Sequence, residues 1–165
     1  MLLGEILHRG AIQTFLKSTE KFAAIDELID VLIDSQDLTM AQRESARDAI
    51  IAREQSMGTG MEMGIALPHG SSEQVENLVG ALGISRDGID FNCLDGDLAH
   101  LILLLVLPRD EIQVHVRTLA GISHLLNGDA FRKSLLDAKD AGTILKLIRK
   151  EERSSIFDGF RRRFK

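Results

Sequence analysis

Three stretches of the chain carry a helical hydrophobic period. From Ile25, apolar residues recur at Leu28, Ile29, Leu32 and Ile33, which puts them on one face of a helix. Thr39-Met40-Ala41-Gln42 has the form of a capping box. It predicts a second helix running to about Arg53, with a narrow inner face of Ala46, Ala49 and Ile50. Residues 111–126, opening with Glu111, predict a third, with Ile112, Val116, Leu119, Ser123 and Leu126 toward the core and His115 beside that stripe. Residues 129–150 predict one or two further helices, interrupted near Asp140-Ala141-Gly142. The extended segments read differently. Residues 10–15 alternate briefly and predict a first strand, and residues 79–84 predict another. Arg86-Asp87-Gly88 and Asp95-Gly96 read as turns, with a short extended piece from Ile89 to Phe91 between them. Residues 98–107 do not alternate, so they predict a strand buried on both faces, ended by Pro108. Strands of that kind among amphipathic helices predict a central sheet covered on both sides.

Composition narrows the picture. A length of 165 residues suits one domain with a sizeable core, and 44% apolar with 27% charged residues is ordinary for a folded chain. There is no tryptophan or tyrosine, so the seven phenylalanines supply all the aromatic packing. That leaves little material for stacking on bases. The net charge is −5, but residues 149–165 carry +4, which leaves −9 on the rest. An acidic body of this kind argues against a nucleic-acid partner. The single cysteine, Cys93, excludes an internal disulfide and reads as a small buried hydrophobe. The longest purely apolar run is the seven residues 101–107, far short of the ~20 a membrane helix needs. No leader-like pattern opens the chain, so the expected setting is the cytoplasm. Two units are expected: a domain over 1–150 and a basic amphipathic C-terminal tail over 151–165. The tail carries Phe157, Phe160 and Phe164 with Arg161, Arg162, Arg163 and Lys165, and reads as a terminal segment that docks on the acidic body or frays. A surface-binding amphipathic helix is its alternative reading.

The chemistry concentrates in residues 53–70, REQSMGTGMEMGIALPHG. Arg53 ends a helical pattern at the edge of its inner face, where a cation is favoured. Gly58, Gly60 and Gly64 suggest a loop with positive φ and close approach. Ile65-Ala66-Leu67 is a short apolar strand that Pro68 should stop, delivering His69 at a strand end beside Gly70. Taken without further context, a histidine after proline is most often structural, and Arg53 only a helix-end charge. His69 and His115 also suggest two zinc ligands, but no third ligand at short spacing accompanies them. His8, His100 and His124 have no motif around them.

The combination in this stretch resembles the enzyme IIA domain of the fructose/mannitol/nitrogen-regulatory (type 2) branch of the bacterial phosphotransferase system. That family reads RE, a spacer, TGxGxGIAxPHG, then a helix opening HLxxL. The matching residues are Arg53-Glu54, Thr59-Gly60, Gly64-Ile65-Ala66, Pro68-His69-Gly70, and His115-Val116 with Leu119, and the likeness runs from about residue 2 to 150. Two residues depart from it: Glu62 stands where the family carries glycine, and Val116 where it carries leucine.

The resemblance implies an α/β (α+β) three-layer sandwich with a mixed central sheet of about five strands between helices. It implies a phosphohistidine carrier in which His69 takes phosphate from a histidine-containing phosphocarrier protein and passes it to an enzyme IIB domain. His115 and Arg53 would shape the phosphate site, with Thr59, Gly60, Gly64 and Gly70 in the phosphate-facing loop. No metal and no organic cofactor is implied. Such a histidine attacks as a neutral ring, with its second nitrogen's proton fixed by a hydrogen bond and donors around the moving oxygens. Glu62 opposes this if it points inward, by charge repulsion. Two other readings stay open. One is a nitrogen-type regulatory module whose phosphorylation controls binding to other proteins without sugar transport. The other is a degenerate fold-mate that only scaffolds.

Overall fold

The computed structural model describes residues 1–110 and 112–163. The expected helix start at Glu111 and the end of the tail, Phe164-Lys165, lie outside the described residues, as do the side chains of Phe157, Phe160 and Arg161 to Arg163. The elements are α1 Leu3–Ile6, a 3-10 turn Arg9–Ala11, β1 Ile12–Gln13, α2 Lys21–Asp34 and α3 Met40–Ser56. β2 Ile65–Ala66, β3 His69–Ser72, β4 Val79–Ile89, β5 Ala99–Pro108, α4 Ile112–Leu126, α5 Asp129–Asp137 and α6 Ala141–Arg163 follow.

The sheet is mixed. β4 and β5 pair antiparallel at its centre, and β1 lies parallel to β4 on one side. β2 and β3 both lie parallel to β5 on the other side, with the same residue offset to it. They are thus one edge lane interrupted at Leu67-Pro68. The uninterrupted apolar run in β5 has the reason the pattern suggested. Leu101, Leu103 and Leu105 join a core with residues of α4, α5 and α6. Ile102, Leu104 and Val106 join a second core with residues of α2 and α3. The three-layer α/β sandwich with five strands is therefore the observed architecture.

Four local expectations change. The first strand shrinks to two residues behind a 3-10 turn in which the Gly10 N–H donates to His8 Nδ1 at 3.2 Å. Arg86-Asp87-Gly88 makes no chain reversal. It forms a register shift inside β4, with Gly88 at φ +81° and its N–H on the Ser85 hydroxyl. Helix α3 runs past Arg53 to Ser56, capped at its start by the Gln42 side chain accepting the Thr39 N–H at 2.9 Å. In α4 the buried residues include His115, Thr118, Ile122, Leu125 and Leu126; Leu126 lies inward as expected and Leu119 packs partly buried against the core, while Val116, expected inward, is 62% exposed. The helix holds two overlapping apolar stripes, and the Leu103 and Leu105 side of the sheet takes Ile122 and Leu125 from one and Leu119 and Leu126 from the other, leaving Val116 outside. The break before α6 is where it was expected: the Asp140 carboxylate accepts the Thr143 N–H and hydroxyl at 2.8 and 2.9 Å. α6 then continues through residue 150 without interruption.

β3 sits tightly on α3. A Cβ at Gly70 would lie 2.6 Å from the backbone of Ala49 and Ile50, so only glycine admits this contact. A Cβ at Gly121, on the exposed side of α4, would meet nothing within 4 Å. Gly70→Ala is therefore expected to lose about 1–3 kcal/mol of stability in urea denaturation. Gly121→Ala should gain about 0.5–1 kcal/mol. Equal effects of the two substitutions would contradict the close α3–β3 contact.

Candidate functional site

The inner face of α3 is Ala46, Ile50 and, one turn further, Glu54, whose side chain is wholly buried. A carboxylate brought inside a protein needs donors to replace water. Here both oxygens of Glu54 accept the Thr59 N–H, at 3.1 and 3.2 Å, one of them also accepts the Thr59 hydroxyl, and Lys21 Nζ lies 3.3 Å away. Arg53, half-buried beside it, donates from Nη1 to the Met57 carbonyl at 2.6 Å and so closes the end of its own helix.

The loop from Met57 to Gly64 then runs back along β2. The Leu67 N–H donates to the Thr59 carbonyl at 3.1 Å and the Met61 N–H to the Ile65 carbonyl at 2.8 Å. Its glycines have separate reasons. Gly64 takes φ +74°, after Met63 at φ +63°, in a tight turn held by the Met63 N–H on Asp95. Gly60 is needed because a Cβ there would strike the Phe91 carbonyl and the Cys93 backbone. Gly58 meets neither condition, contrary to the expectation of positive φ there. Thr59, expected among the phosphate-facing residues, has its N–H and hydroxyl engaged by Glu54. Glu62 is exposed.

His69 opens β3; it begins a strand instead of ending one, because pairing resumes in register just past Pro68. Its Cα partner is Leu105, and residues matched in a parallel pair share a face. Gly70 faces α3, so His69 projects to the opposite side, the side covered by α4. The ring is half-buried, and Nδ1 lies 2.7 Å from the Leu67 carbonyl. A carbonyl only accepts, so the neutral ring carries its proton on Nδ1 and presents a lone pair at Nε2. Burial pushes the ring's pKa below its usual 6.5, and the Arg53 charge adds to this. The Leu67 hydrogen bond and the Glu54 charge oppose the shift without cancelling it.

His115 lies in the first turn of α4, on the same side of the sheet as His69, and is 6% exposed. Its Nε2 is buried and has no hydrogen-bond partner among the described residues. Among those residues no cluster of three His, Cys, Asp or Glu side chains is placed to hold a metal. An apolar cavity of about 200 Å³ between Leu3, Ile122, Leu125 and Ile156 is lined by none of these site residues. His100 repeats the His69 pattern in part, with Nδ1 2.9 Å from the Ser85 carbonyl. Glu54 is the residue the sequence reading left without a role. Its signal was the spacing 46, 50, 54, which puts a carboxylate on the buried stripe.

Comparison with known proteins agrees on one family. Residues 5–151 match the model described as "Phosphoenolpyruvate-dependent sugar phosphotransferase system, EIIA 2". The fructose-specific EIIABC component of Bacillus subtilis is 33% identical over 153 residues, 93% of this chain and 24% of that protein. The chain thus spans about a quarter of that relative's length. A nitrogen regulatory protein of Bradyrhizobium diazoefficiens is 28% identical over 148 residues, covering 90% of this chain and 95% of the relative. The crystal structure of nitrogen regulatory protein IIA-Ntr from Neisseria meningitidis superposes with a TM-score of 0.79 at 25% identity, over 88% of this chain and 98% of that one.

The electrostatics of His69 give a direct check. Its ring should titrate below pH 6.5 when followed by NMR, and Arg53→Ala should move the midpoint upward, since the guanidinium disfavours the imidazolium. A midpoint above 6.5 in the wild-type protein would contradict the buried, arginine-flanked environment.

Proposed function

The chain belongs to the EIIA 2 family of the phosphoenolpyruvate-dependent sugar phosphotransferase system, a phosphotransferase component, and from that premise we propose that His69 is the residue that carries the phosphoryl group. The observation that carries this reading is the Nδ1–H held on the Leu67 carbonyl of a half-buried ring, which leaves the Nε2 lone pair available, with the ring's pKa pushed below its usual 6.5 by burial. In the transfer, Nε2 attacks phosphorus and forms an N–P bond. The bond from phosphorus to the donor's histidine breaks, and its electron pair returns to that nitrogen. The Nδ1 proton of His69 stays where it is. Arg53 supplies positive charge to the moving oxygens from the donors that Met57 leaves available. The buried, unpartnered Nε2 of His115 supports a role as hydrogen-bond donor to one of those oxygens. Gly60, Gly64 and Gly70 serve in this reading by shaping the loop and the β3–α3 contact.

The donor in this reading is a histidine-containing phosphocarrier protein, and the acceptor is an enzyme IIB domain. The name of the Bacillus relative, an EIIABC component, supports the second. Exposed Val114, Val116 and Met57 offer apolar surface for protein partners beside His115 and Arg53. In this reading the exchange takes place in the cytoplasm. The nitrogen-type regulatory role is the second reading, favoured by the alignment to 95% of a nitrogen regulatory protein.

Incubated with phosphoenolpyruvate, the general enzyme of the system and the phosphocarrier, the wild-type protein should gain one acid-labile phosphate. His69→Ala should gain none, and His115→Ala and Arg53→Ala should be slowed about 10²-fold or more, the scale for losing a preorganised donor. Undiminished labelling of His69→Ala would reject the assignment. Discharge to an added IIB domain marks the transport role. A partner retained by only one of the phosphorylated and unphosphorylated forms marks the regulatory one.

A further inference from the structure

Leu67 is the residue through which the loop and the ring are tied together. Along a strand both backbone polar groups of a residue point the same way. Those of Leu67 point away from β5: its N–H goes to the Thr59 carbonyl and its C=O receives the His69 Nδ1–H. Pro68 follows and fixes the backbone on the other side of that carbonyl. Thr59 is itself held by Glu54 through both its N–H and its hydroxyl. A continuous series of hydrogen bonds therefore joins a wholly buried carboxylate to the imidazole: Glu54, Thr59, Leu67, His69.

We propose that Glu54 is a positioning residue for phosphoryl transfer, fixing the tautomer and aim of His69 through Thr59 and Leu67. The proposal rests on the reading of His69 as the phosphate carrier. Glu54 touches no reacting atom. It has no need to, because the ring's orientation is set by one carbonyl, and that carbonyl's position is set by the loop Glu54 holds. A carboxylate suits the task because it only accepts, and its two oxygens meet two donors on Thr59 and a cation on Lys21. A glutamine of the same shape would turn an NH2 group toward at least one of these donors.

The test uses Glu54→Gln, with Thr59→Val, which removes the hydroxyl and keeps the backbone, and Thr59→Ser, which restores the hydroxyl. Nitrogen NMR of His69 in the wild-type protein should show one neutral tautomer with the proton on Nδ1. In Glu54→Gln and Thr59→Val it should show a mixture, and in Thr59→Ser the single tautomer again. The maximal rate of phosphate acceptance should fall about 10- to 100-fold in Glu54→Gln, the scale for misplacing a reacting group, with little change in the KM for the phosphocarrier. A single Nδ1–H tautomer with wild-type rate in a folded Glu54→Gln protein would overturn the proposal. So would a lowered melting temperature with an unaltered ring, since that is what a purely structural carboxylate predicts. If Glu54→Gln fails to fold, the tautomer and rate of Thr59→Val decide between the same two outcomes. If the wild-type protein takes no phosphate at His69, the functional reading fails, and the tautomer measurement still decides whether Glu54 positions the ring.

Discussion

Proline cannot donate a backbone hydrogen bond, and the edge lane of this sheet is arranged around that fact. β2 and β3 keep one register along β5 across Pro68, which offers no N–H to the ladder but whose carbonyl still accepts the Leu105 N–H at 3.0 Å. On an edge, a backbone carbonyl that turns away from its neighbouring strand must find another donor or stay in water. Leu67 finds two partners there, the Thr59 carbonyl for its N–H and the His69 ring for its C=O. The lane is thereby locked from its open side by the loop, and the imidazole is locked by the lane. A central strand has no open side and offers no such arrangement.

The neighbouring layers make this edge rigid. Gly70 lets β3 press against the backbone of α3, which fixes the lane from below. The end of the same helix delivers Arg53 and Glu54, one half-buried and capping its helix, the other wholly buried and holding the loop. Adjacent residues on a helix point about 100° apart, so one two-residue motif serves the site twice, as a charge near the ring and as an anchor beneath the loop. From the other side of the sheet, α4 turns His115 inward and leaves Val114 and Val116 at the surface.

For phosphoryl transfer the value of this construction is that little has to move. The chemistry asks mainly for a nucleophile with an available lone pair and for fixed positive groups around the oxygens. Half-burial and Arg53 favour the neutral ring, and the carbonyl of Leu67 keeps its proton on Nδ1, leaving Nε2 for the proposed transfer. Half-burial also leaves the ring within reach of another protein's side chain, which a deep small-molecule pocket would not.

Hydrophobic period is a local property, and it was enough to read the amphipathic helices, the doubly buried β5 and the sandwich that these require; Arg53, His69 and His115 were singled out by the family resemblance of their motifs, since the bare pattern offered only a helix-end charge and a histidine after proline. The same local signals pointed to a turn at Arg86-Asp87-Gly88, where a β-strand needs only an irregularity, since they do not say whether a partner strand continues to pair. They put Val116 inward on α4, since overlapping stripes on one helix are equivalent until a sheet packs against them. Folding was needed to establish that Thr59 answers to Glu54, that Gly60 makes room for the Phe91–Cys93 backbone, and that Leu67 holds the ring of His69. Each of these is a contact between segments brought together in space, and the hydrogen-bond partner of a buried group is set by which backbone comes to lie beside it.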